Sequence, residues 1–123
     1  MIKKVLLIED DITLRDLYFT RFSMEDYDLE VATDGEAGLA KVKEFKPSAV
    51  LLDLRIPKLT GFEVLRRIKE DPETKDIPVI IFTALSGDDD RKKCLDAGAA
   101  AFLSKAETMP KDVIEKMKEV MGA

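Results

Sequence analysis

Four short apolar runs punctuate the chain: Val5-Leu6-Leu7-Ile8, Ala49-Val50-Leu51-Leu52, Val79-Ile80-Ile81-Phe82 and Ala99-Ala100-Ala101-Phe102-Leu103. Continuous runs of this length suit strands buried on both faces, as in a parallel sheet. Leu29-Glu30-Val31-Ala32 alternates instead, which suits a strand at a sheet edge. Between the runs, apolar positions recur at helical spacing. They are Leu14, Leu17, Tyr18 and Phe22, then Ala37, Ala40 and Phe45 with their neighbours, then Val64, Leu65 and Ile68, then Val113, Met117 and Val120.

Boundary signals agree with this division. Thr33 with Glu36 and Thr60 with Glu63 have capping-box spacing, and Ser86 with Asp89 is a weaker version. Gly98 after Ala97 marks a helix stop, and Pro110 fits the first turn of the last helix. Strand and helix therefore alternate five times, which predicts a parallel α/β sheet with helices on both faces. Right-handed crossovers leave few topologies. The order 2-1-3-4-5 places the alternating second run at an edge. No repeat, low-complexity tract or linker interrupts the 123 residues, which suit one domain over 1–123.

Composition narrows the function. Net charge is −5, which argues against non-specific nucleic-acid binding and against anionic membranes. The single cysteine, Cys94, rules out an internal disulfide and fits a reducing cytoplasm. Val5 to Ile8 is too short an apolar run for a signal peptide or a membrane span. The absence of histidine removes His-based catalysis, His metal sites and any phosphohistidine carried by the chain itself.

The predicted strands end in polar groups. The first ends in Glu9-Asp10-Asp11, the third in Asp53, the fourth in Thr83-Ala84 and the fifth in Ser104-Lys105. Ligands of open parallel sheets bind at the carboxyl ends of the strands, near the switch point in strand order. These endings are therefore expected to meet. Two carboxylates about 5 Å apart repel by roughly 3 kcal/mol at an effective dielectric near 20. A hard divalent cation relieves that repulsion. Oxygen-only ligands favour Mg2+, Mn2+ or Ca2+ over zinc, and few carboxylates with open water positions suit Mg2+. Such a site suits phosphoryl transfer: an Asp nucleophile, a Lys and a metal to neutralise phosphoryl oxygens, and the Thr83 hydroxyl to bind one of them.

Ile8-Glu9-Asp10-Asp11, Leu51-Leu52-Asp53-Leu54-Arg55-Ile56-Pro57 with Gly61, Phe82-Thr83-Ala84 and Lys105 together resemble the response-regulator receiver domain of two-component signalling. Order and spacing match along essentially the whole chain. The resemblance implies a (βα)5 doubly wound, flavodoxin-like three-layer sandwich. It implies that Asp53 is the phosphoacceptor, and that Mg2+ is held by Asp10, Asp53, the main-chain oxygen of Arg55, and Glu9 through water. It implies that Thr83 and Lys105 bind the phosphoryl group and that Thr83 and Phe102 form a switch. The fourth helix, fifth strand and fifth helix would present the output surface. Implied partners are a sensor histidine kinase or histidine phosphotransfer protein and a downstream output protein. Neither direct nucleic-acid binding nor a membrane is implied, and the domain would be a monomer or a weak phosphorylation-dependent dimer. It would be a cytoplasmic signalling switch, not an enzyme acting on other substrates. With the fifth helix ending near Met121, a stand-alone regulator and a receiver excised from a longer protein both fit.

Three departures stand out, one of them Ile56, a packing substitution for the family's more frequent Met. The family's usual cis proline after the lysine is replaced by Ala106, so this loop is either trans or strained. Asp11 extends the acid pair to three and reads as a solvated acid or helix N-cap. Asp88-Asp89-Asp90 reads as a charged first helical turn rather than a second metal site. Other functions fit less well. A haloacid-dehalogenase-type phosphatase needs a second acid where Arg55 stands. A flavin binder needs a phosphate loop where Glu9-Asp10-Asp11 would repel phosphate. A pseudo-receiver would not need the full set of acids, Thr and Lys.

Overall fold

In the computed structural model, which describes residues 3–85 and 87–122, strands and helices alternate from end to end. The order is β1 (Lys4–Ile8), α1 (Ile12–Met24), β2 (Asp28–Ala32), α2 (Gly35–Phe45), β3 (Ala49–Leu52), α3 (Gly61–Glu70), β4 (Val79–Thr83), α4 (Asp88–Asp96), β5 (Ala101–Ser104) and α5 (Pro110–Val120). All strand pairs are parallel, in the order β2-β1-β3-β4-β5. This is the flavodoxin-like order expected from the sequence.

The side chains of each central strand alternate between two cores, which is why its sequence is continuously apolar. Leu6, Ile8, Val50, Leu52 and Ile81 face one core, closed by Val42 of α2, Val64, Leu65 and Ile68 of α3, and Cys94 of α4. Val5, Leu7, Leu51, Ile80 and Phe82 face the other, closed by Tyr18 and Phe22 of α1 and Val113, Ile114 and Met117 of α5. Tyr18 meets Phe82 edge to face, with ring centroids 5.5 Å apart. Residues buried at this density contribute about 1.5–3 kcal/mol each relative to exposure.

Several local expectations are corrected. Asp34, not Thr33, caps α2: its Oδ1 accepts from Ala37 N at 2.8 Å. The buried face of α2 is Gly35, Gly38 and Val42, whereas Ala37 and Ala40 are exposed. The reason is close approach: a Cβ on Gly38 would lie 2.6 Å from Ile8 Cδ1. Leu17 faces outward at 39% exposure. The last strand begins at Ala101 rather than Ala99, and three of its four residues are only half-buried because β5 is the second sheet edge. Thr60 caps α3 as expected, accepting from Glu63 N at 3.2 Å. Glu63 does not reciprocate; its carboxylate pairs with Arg66 and Arg67. Pro110 opens α5, and Gly98 follows α4 at φ 108. The cap expected at Ser86 lies outside the described residues.

Candidate functional site

The carboxyl end of β1 continues the ladder by one residue, with Glu9 N donating to Ala32 O at 3.0 Å. That step turns the Glu9 side chain inward, and the residue is only 2% exposed. Asp53 follows β3 in the same way, its N–H donating to Ile8 O at 3.1 Å. Asp53 is 5% exposed, whereas Asp10 stands at the open rim. One carboxylate oxygen from each of Glu9, Asp10 and Asp53 lies within 4.8 Å of the others. The expected meeting of strand ends therefore occurs.

Lys105 supplies the positive charge inside this cluster. Its N–H donates to Thr83 O at 2.9 Å, which prolongs the β4–β5 pairing and aims the side chain across the top of the sheet. Its Nζ lies 2.7 Å from Glu9 Oε1 and 2.8 Å from Asp53 Oδ2. Burial works against the ammonium, but Asp53 and Glu9 outweigh it and raise its pKa. Glu9 moves up to about 7, because burial disfavours its charge and Asp53 repels it; Lys105 and the N–H of Asp11 oppose this only in part. By formal charge, three clustered acids face a single lysine.

Thr83 is fully buried at the end of β4, and its Oγ1 accepts from Leu85 N at 3.2 Å. Arg55 N donates to Asp53 Oδ1 at 3.2 Å, while the Arg55 side chain is exposed. Asp11 is the N-cap of α1, accepting from Thr13 N at 2.9 Å and Leu14 N at 3.2 Å. Phe102 stands apart from the acids. Its ring is buried in the core beneath α4, and its carbonyl accepts from Arg91 Nη1 at 3.1 Å. No peptide bond among the described residues is cis, so Lys105–Ala106 is trans. A cleft of about 530 Å³ opens beside the acids, with Asp10 and Arg55 on its rim and Phe62 and Cys94 in its wall.

Residues 5–118 match the response regulator receiver domain family. The chain belongs to this family. It is 38% identical over 117 residues to the DNA-binding dual master transcriptional regulator RpaA of Synechocystis sp., across 95% of this chain and 47% of that protein. The receiver domain thus spans about half the length of this relative. Among solved structures, a CheY-like response regulator receiver domain protein from Methanospirillum hungatei is 27% identical with a TM-score of 0.92, over 99% of this chain and 95% of that one. The Mn2+-bound response regulator Rcp1 is 30% identical with a TM-score of 0.80, over 98% and 90% of the two chains.

Of the residues that fix the loop after Asp53, Gly61 is legible as part of the motif, whereas Lys58 is not. Gly61 packs on that loop so closely that a Cβ would lie 2.1 Å from Asp53 O. Lys58 adopts φ 72. A Gly at position 58 would have signalled this turn; a lysine does not.

Proposed function

We propose that this receiver domain accepts a phosphoryl group on Asp53 in the presence of Mg2+ and, once phosphorylated, presents an altered surface to a partner. The observation that carries this reading is the buried Asp53 carboxylate, clustered with Glu9 and Asp10 and contacted by Lys105. The donor set is all oxygen and under-neutralised, so it fits a hard divalent cation. Asp10, Asp53, Glu9 and the main-chain oxygen of Arg55 would hold the ion. When bound, Mg2+ supplies positive charge against the oxygens of the entering phosphoryl group.

The chain's own residues do the rest. Asp53 is held by the Arg55 N–H so that one oxygen is oriented while the other meets Lys105. That second oxygen attacks phosphorus, the P–O bond forms, and the P–N bond of a donor phosphohistidine breaks, its electron pair leaving with the imidazole. Lys105 exchanges its contact with Asp53 for one with a phosphoryl oxygen. Thr83 accepts from Leu85 N and keeps its own O–H proton to donate to another. Thr83 is buried and stands opposite Ser104 of β5, so that bond bears on the packing of β4 against β5.

The chain has no histidine, so the phosphoryl group comes from outside it, and the donor would be a sensor histidine kinase or histidine phosphotransfer protein. The responding surface would be α4, β5 and α5. The domain acts as a switch and turns over no substrate besides its own phosphoryl group. Hydroxylamine cleaves acyl phosphates to hydroxamates, so peptide mapping of phosphorylated, hydroxylamine-treated protein should find the hydroxamate at Asp53. A phosphate stable to hydroxylamine, or a hydroxamate elsewhere, would refute the assignment.

A further inference from the structure

The loop that follows Asp53 contains a strained turn held by an element remote in sequence. Leu59 N donates to Pro57 O at 2.9 Å across Lys58, which sits at φ 72. A three-residue turn closed in this way with a positive central φ is a strained γ-turn, and strain of this kind persists only where surrounding structure enforces it. The enforcement comes from the start of α2. Gly35 N, one of the N–H groups that a helix N-terminus leaves without an internal partner, donates to the same Pro57 O at 3.0 Å. The two backbones touch so closely that a Cβ on Gly35 would lie 2.2 Å from Leu59 O. The Lys58 ammonium lies 3.7 Å from Asp34 Oδ2, on the residue that caps α2.

The other end of the loop is fixed as well. Gly61 N donates to Leu54 O at 3.0 Å. Arg55 therefore lies between two anchored points, Leu54 and Pro57, with its own N–H on Asp53 Oδ1.

Resting on the metal site proposed above, we infer that Asp34 and Gly35 are positioning residues: by clamping the γ-turn at Lys58 they hold the Arg55 main-chain oxygen where Asp10 and Asp53 bind the ion. Backbone ligands have no rotamer to adjust, so their placement depends on the loop alone. A partner that holds a ligand in place commonly contributes 10–100-fold to metal affinity.

The test is Mg2+ affinity by calorimetry on the intact chain, with unfolding by urea measured beside it. Gly35→Ala drives a methyl into Leu59 O and should weaken Mg2+ binding about tenfold, whereas Val42→Ala, in the core of the same helix, should lower stability and leave affinity within about twofold. Lys58→Gly separates position from stability. It relaxes the positive φ, so stability should hold or rise, while the freer loop binds Mg2+ more weakly. Weaker binding in Lys58→Gly without loss of stability supports the clamp even if Gly35→Ala does not fold. Wild-type affinity in Lys58→Gly and in folded Gly35→Ala, or equal weakening in Val42→Ala, overturns the positioning role and leaves the metal site standing. A wild-type chain that binds no Mg2+ overturns both.

Discussion

Lys105 Nζ lies 2.8 Å from Asp53 Oδ2, a contact between residues 52 positions apart that bridges the ends of β5 and β3. The lysine side chain is 18% exposed and the Asp53 side chain 6%, so water screens this pair little. Lys105→Ala leaves Glu9 and Asp53 clustered with their cation gone. In EDTA it should destabilise the fold by about 1–3 kcal/mol. Mg2+ should restore most of that loss, since the ion replaces the missing charge, while phosphorylation by acetyl phosphate slows. Urea unfolding with and without Mg2+ reads the first effect and mass spectrometry the second. A loss that Mg2+ does not reduce would show that the ion does not stand in for the Lys105 charge, and an unaltered phosphorylation rate would remove Lys105 from the reaction.

The two acids at the open end of the cluster should separate cleanly. Asp10 is exposed and contributes an oxygen to the acid group, whereas Asp11 accepts two N–H groups at the start of α1. Asp11→Ala should cost about 1 kcal/mol of stability through loss of the cap and leave Mg2+ affinity nearly unchanged. Asp10→Ala should leave stability nearly unchanged and weaken Mg2+ by about tenfold or more. Equal losses of affinity would mean that both acids serve the metal.

Tyr18 offers a pH test of the fold that does not involve the site. Burial against Phe82 and its neighbours pushes the Tyr18 phenol up to about 12, with Arg21 opposing in part. The native state then holds a proton that the unfolded chain releases near pH 10. Tyr18 therefore contributes fully below pH 10, and its contribution is lost as pH rises from 10 through about 12, by up to roughly 1.4 kcal/mol per pH unit. Tyr18→Phe should remove that slope. An equally steep alkaline loss in the variant, measured by urea unfolding from pH 9 to 11, would assign it to other groups.

Much of this arrangement is written in residue types. Runs such as Val79-Ile80-Ile81-Phe82 announce doubly buried strands, and strand order follows from which run alternates. The acids at Glu9, Asp10 and Asp53 and the distant Lys105 become one cluster as soon as the strands are parallel. What hydropathy cannot read is the value of having no side chain. Gly38 and Gly35 form the buried face of α2 because β1 and the 57–59 turn approach them, while Ala37 and Ala40, the apolar-looking choices, face water. Nor does a lysine announce a positive φ: Lys58 is held there by Asp34 and Gly35, more than twenty positions away in sequence. Caps fall between these extremes. Thr33 and Asp34 are both competent, and the structure selects the one adjoining the tight contact of Gly35.

The most direct test of the central claim is intact mass after incubation with acetyl phosphate and Mg2+, beside an EDTA control and Asp53→Asn. The account predicts a gain of one phosphoryl group that needs the metal and is absent in the variant. A gain that survives in EDTA or in Asp53→Asn would contradict it, as would no gain from either acetyl phosphate or a phosphohistidine donor.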